Sequence, residues 1–181
     1  MCIRDRVYSK RNVNILQQPF IKKIIQLLKY IHAEHDTPYG GDEMLFEILH
    51  YDFYHIPPME IARITVSVNQ QKYNSQEPVS IRRSLYEKAK APAQNLFDTG
   101  LHTGLQQISS ILEALIAAAP NITLQQLFAQ LINEAGVLEY VLKSADKILL
   151  MKWLTALFDF IKNETSRNPA LDLKELIGIS T

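Results

Sequence analysis

Between residues 63 and 90 the chain carries Arg63, Lys72, Arg82, Arg83, Lys88 and Lys90 against Glu77 and Glu87, a local charge of +4. Cations grouped this way neutralise phosphates and release condensed counterions, so the chemistry on offer is salt-sensitive, sequence-independent contact with nucleic acid. From charge alone, the solvated face of a helix is the commoner meaning of such a run. His32 and His35, with Glu34 and Asp36 beside them, offer donors to a metal. A structural zinc needs four ligands in tetrahedral array, and no second His or Cys pair is placed to complete one. Near a helix end these imidazoles have a simpler use, facing the negative end of the helix dipole. Phe46, Tyr51, Phe53 and Tyr54, with His50 and His55, could stack on unpaired bases, but each ring buries a large apolar area and the cluster is expected to be core.

Catalytic signatures are missing. A phosphate-cradling P-loop needs two glycines five positions apart followed by Lys-Ser/Thr, because backbone N–H groups must converge on the phosphates while the lysine reaches them. Gly40, Gly41, Gly100, Gly104, Gly136 and Gly178 provide no such pair, and none precedes a lysine. The sequence also lacks a G-x-S-x-G elbow, an H-E-x-x-H motif and an EF-hand loop. Gly100 and Gly104 match G-x-x-x-G, which carries little meaning outside an apolar 20-mer.

The elements that would carry these residues follow from composition and periodicity. A chain of 181 residues with 47% apolar and 21% charged residues can bury a core as one domain. Its 19 Lys+Arg balance its 19 Asp+Glu, so any contact with a polyanion must be local. A lone cysteine, Cys2, excludes an internal disulfide framework and points to a reducing compartment, expected to be the cytoplasm. Apolar runs such as 115–119 and 148–151 are far shorter than the ~18 residues that span a bilayer, so no membrane partner is expected. The opening MCIRDR has no apolar core behind its charges and is not a secretory signal. It resembles translated adapter read-through, so residues 1–6 are expected to be non-native and the domain to cover 7–181.

Phe20, Ile21, Ile24, Ile25, Leu27, Leu28 and Ile31 recur at spacings of three and four after Pro19, which predicts an amphipathic helix to about Glu34. TPYGG at 37–41 is a turn, and Asp42 is expected to cap a short helix to Leu49. Pro57 and Pro58 open another, with Met59, Ile61, Ile64 and Val68 on one face, and 69–79 reads as a loop. A basic helix from Ser80 to Lys90 stops before Pro92. Leu101, Leu105, Ile108, Ile111, Leu112, Leu115 and Ile116 form the next stripe, ended by Pro120 and Asn121. Thr123 and Gln126 make a capping box for a helix through Ile132, with Gly136 as its stop. The most apolar helix, from about Ala145 to Glu164, is expected to be central, and Asp172 with Glu175 starts a last short one. Residues 64–68, ITVSV, have strand-like composition but cannot make a sheet alone. The prediction is all-α, an irregular multi-helix accessory domain of about seven helices.

The string AEHDTPYGGDEMLFEILHYDFYHIPPMEIARI at 33–64, preceded by VYSKRNVNILQQPFIKKIIQLLKYI at 7–31, resembles the accessory 2B subdomain of the UvrD/Rep/PcrA-type superfamily 1 DNA helicases. Val7 to Lys10, Ile21 to Tyr30 and Ile56 to Ile64 take the places of that family's short strand, its I-K-x-x-x-x-x-L-R-Y-L-like helix and its I-x-x-x-P segment. EAGVLEYVLKSAD at 134–146, the helix to Glu164 and LDLKELI at 171–177 are similar to the run that closes the subdomain. Pro57 and Ile61 match the family pattern. The family's P-x-R-G-I-G-like loop is replaced by Pro57, Pro58, Met59, Glu60 and Ile61, without the glycines that admit duplex phosphates. The resemblance implies a fragment of an ATP-dependent 3′ to 5′ helicase of DNA repair type that engages a single-strand/duplex junction and regulates unwinding. ATP and Mg²⁺ would bind the parent's motor lobes and none of the residues in this chain, which alone would be inactive. The competing reading is a stand-alone helical domain that binds a partner protein.

Overall fold

The computed structural model describes residues 14–74, 79–90 and 100–180. Residues 1–6 with Cys2, the expected strand at 7–10, Glu77 and Pro92 lie outside the described residues. Those described form nine α-helices and no strand, an all-α domain.

The helix predicted after Pro19 is α1, Pro19–Asp36, with proline at the start, where its missing N–H removes no intrahelical bond. It is the hub of the domain. Its buried face runs from Phe20 through Ile21, Ile24, Leu27, Tyr30 and Ile31 to Glu34. Around it pack α2 (Asp42–Leu49), α5 (Thr103–Ala118), α8 (Lys147–Arg167) and α9 (Leu173–Ser180). The helix expected from about Ala145 is α8, which packs on α1, α6 (Leu124–Glu134) and α7 (Val137–Lys143). On α8, Leu150, Leu154, Leu157, Phe160 and Ile161 are buried, but Ile148, Leu149 and Met151 in its first turns are exposed. The opening turns of α8 are buried along one side only, whereas its later turns enter the core. No helix among the described residues is long and apolar enough to cross a membrane.

Between α2 and α5 lie α3 (Pro58–Asn74) and α4 (Ile81–Lys90), which pack on each other. Helix α3 continues six residues into the stretch expected to be loop, because Gln and Lys are good helix formers and neither Gly nor Pro interrupts 69–74. Ile61, Ile64 and Val68 are buried as expected, whereas Met59 is 70% exposed. Two residues advance a helix by about 200°, so Met59 must lie opposite Ile61.

Asp42 does not cap its own helix. It is the first residue of α2, preceded by Gly41, and its Oδ1 accepts the Ile81 N–H at 2.8 Å, capping α4 from another element. Its Oδ2 meets Lys72 Nζ at 3.3 Å. Replacing Asp42→Ala is therefore expected to cost about 1 kcal/mol, the usual worth of a helix cap, while Asp42→Asn retains most of it. Urea unfolding of the two variants checks this, and equal losses would contradict the cap.

The last part of the chain follows local signals closely. The Thr123–Gln126 capping box is present at the start of α6 (Leu124–Glu134), and Gly136, at φ 72°, follows its end in the left-handed region that glycine enters at least cost. Helix α7 (Val137–Lys143) is the element that periodicity did not reveal, since seven residues give under two turns of pattern. The Asp172 carboxylate accepts the Glu175 N–H at 2.7 Å, as expected at the start of α9.

Candidate nucleic-acid interface

The six cations of residues 63–90 lie on α3 and α4, which pack on each other, and their side chains divide into three environments. Arg63 pairs with Glu60 one turn earlier, at 3.1 Å, and Arg83 with Glu87 at 2.8 Å. Lys72 reaches Asp42. These are solvent-facing pairs, worth little and readily exchanged for phosphate. Lys88 bonds the Ser67 hydroxyl at 3.3 Å, joining α4 to α3, and Lys90 lies against Tyr86, bonded to its hydroxyl with Nζ 4.1 Å from the ring centroid. Both of these lysines thus engage neutral groups.

Arg82 is withdrawn from this surface. Its Nε and Nη2 donate to the two oxygens of Glu113 on α5 at 2.6 and 2.7 Å, and its Nη1 donates to Glu34 on α1 at 2.6 Å. Its side chain is 13% exposed and that of Glu34 is wholly buried. The two-pronged bond to Glu113 raises the guanidinium further above its ordinary pKa, so the charge is permanent. Glu34 also accepts the N–H groups of Tyr39 and Gly41 at 2.8 and 2.7 Å, which folds the TPYGG turn over the end of α1. A Cβ on Gly41 would come within 2.8 Å of Glu34 Oε1 and 3.0 Å of the Tyr30 ring, so only glycine lets the backbone approach that closely. Arg82 therefore ties α4 to α1 and α5.

The segment's +4 is consequently smaller in three dimensions. Glu60, Asp42, Glu34 and Glu113 all lie outside residues 63–90 and all face cations within it. A linear count could not include them. Glu34 left a trace in the sequence: it continues the spacing of Ile24, Leu27 and Ile31, placing a carboxylate on the apolar side of α1, where it requires a buried cation. Nothing comparable marks Glu113.

The aromatic cluster expected to be core is so only in part: Tyr51 and Phe53 are buried and Tyr54 half-buried, whereas Phe46, His50 and His55 are exposed. Phe53 lies edge-on to Phe20 at 6.0 Å and to Tyr140 at 5.0 Å. Phe46 stands beside the His50 ring, 4.6 Å between centroids. His32 and His35 each approach Asp36 at 3.5 Å at the end of α1. Among the described residues no group of three or more His, Cys, Asp or Glu is arranged to hold a metal. A shallow cleft of about 450 Å³ lies between the turn at 53–55, α5 and α7, with Tyr54, His55, Glu134 and Glu139 among its lining. His55 there has φ 48°. Glu139 is bonded to Lys143 at 2.5 Å, which holds its carboxyl below the usual range.

No family model, curated protein or solved structure matches this chain.

Proposed function

We propose that the chain is the helical accessory module of a UvrD-type ATP-dependent DNA helicase, a non-catalytic part that engages a single-strand/duplex junction for a motor encoded beside it. The observation that carries this reading is the resemblance of residues 7–64, whose helices are α1, α2 and the start of α3. The all-α fold agrees with it. ATP and Mg²⁺ belong to that motor, and the cellular site would be the cytoplasm.

DNA contact falls to the outer cations of α3 and α4. Lys88 and Lys90 lead, because among the described residues their partners are the neutral Ser67 and Tyr86 hydroxyls. Arg63, Lys72 and Arg83 follow by exchanging their surface partners. Each phosphate neutralised contributes about −0.9 to the slope of log K against log salt on duplex DNA. Replacing Lys88 and Lys90 by Ala is therefore expected to weaken binding of a junction DNA and to flatten that slope by about two units. Fluorescence anisotropy across a salt series measures both, and an unchanged slope would remove DNA contact from this face. Arg82 is a poor probe, because its loss acts on the fold.

The second reading, a protein-binding domain, has its own observation: Leu142 on α7 and Ile148, Leu149 and Met151 on α8 are exposed apolar side chains on consecutive helices.

A further inference from the structure

Helix α3 carries two apolar stripes. Ile61, Ile64 and Val68 form one and are buried. The other is Met59, Val66 and Tyr73, which are 70%, 54% and 93% exposed. Seven residues turn a helix by about 700°, within about 20° of two whole turns, so these three positions fall on one line about 21 Å long, on the side away from the core. Apolar residues scattered singly over a surface need no explanation. These share a spacing, and their line ends in the most exposed aromatic ring among the described residues. Polar groups of a particular kind run beside it. Arg63 precedes Val66 by three positions, and Lys88 of α4 bonds the hydroxyl of Ser67, the residue that follows it. Asn69 and Gln70 are exposed between Val66 and Tyr73. From Arg63 to Tyr73 the helix carries no acidic residue. An unpaired strand offers base faces to an exposed ring and phosphates to the cations beside it. A duplex could meet the cations but not the ring, because its bases are already stacked on one another.

We infer that the outer face of α3 binds single-stranded DNA, with a base stacked on Tyr73, neighbouring bases against Val66, and phosphates towards Arg63 and Lys88. This rests on the DNA-binding reading above and narrows it, giving α3 to the unpaired arm of the junction.

Fluorescence anisotropy of wild type, Tyr73→Ala and Tyr73→Phe on a labelled oligothymidylate and on a labelled duplex tests the assignment. Single-strand affinity is expected to fall at least about fivefold in Tyr73→Ala, the lower end for loss of one base–ring stack, and to be kept in Tyr73→Phe. Duplex affinity and the salt slope should stay at their wild-type values, since no phosphate contact is removed. The urea midpoint should not move, because the ring is exposed, so the loss is one of binding and not of folding. Equal single-strand affinity of Tyr73→Ala and wild type would overturn the stacking while leaving the DNA-binding reading in place. Wild-type protein that binds neither probe would overturn both, and if it bound vesicles of anionic phospholipid instead, the face would belong to a membrane.

Discussion

Replacing Arg82→Ala is expected to destabilise the domain by about 3–5 kcal/mol, the cost of leaving a buried charge without its partner. Glu34 is wholly buried and would keep only the Tyr39 and Gly41 N–H groups, while Glu113 would lose the two bonds it receives from Arg82. The loss should be partly recovered by Glu34→Gln in the same chain, because an uncharged amide tolerates the site where a lone carboxylate does not. Equilibrium unfolding of the two single variants and the double gives the coupling directly, and residues sharing one ion-pair network should depart from additivity by 0.5–3 kcal/mol. Purely additive losses, or an Arg82→Ala cost in the range of a surface pair, about 0–1 kcal/mol, would show that the cluster does not hold α4 in place.

Shortening Leu27→Ala should cost about 2–5 kcal/mol, the lost transfer energy of the side chain plus the cavity it leaves. Leu27 is fully buried on α1, where α2, α5, α8 and α9 meet one helix, so several elements would have to shift to close the space. The same change at Leu149, 46% exposed on α8, should stay within about 0.5 kcal/mol. Thermal or urea denaturation of the pair tests whether Leu27 lies in the core and the opening turns of α8 lie at the surface. Comparable losses at both sites would contradict that placement.

Helices whose signals are local could be read from the residues alone. Pro19 with its long apolar stripe, the Thr123–Gln126 box, Gly136 and the Asp172 cap each act within a turn or two of the chain, and each appears where the sequence places it. What the sequence concealed depends on distant partners. Asp42 looks like a cap for the helix it opens, yet it serves Ile81, 39 positions later. Arg82 looks like one more cation on a basic helix, yet its partners are 48 positions before it and 31 after it. Charge counted along a segment therefore overstated the field available to a polyanion. The depth of α1 was hidden for a similar reason, since periodicity gives the direction a helix face points and not how many neighbours cover it. Resemblance contributed what neither periodicity nor geometry could, a reason to look beyond the chain for a motor.

The most direct measurement is the sequence of the intact locus from which this reading frame comes, followed by an ATPase assay on its full product. The account expects a P-loop upstream in the same frame, a continuation into the second motor lobe downstream, and DNA-stimulated ATP hydrolysis by the full product but not by residues 7–181. A locus encoding nothing beyond these helices, or nucleotide hydrolysis by these helices unaided, would contradict it.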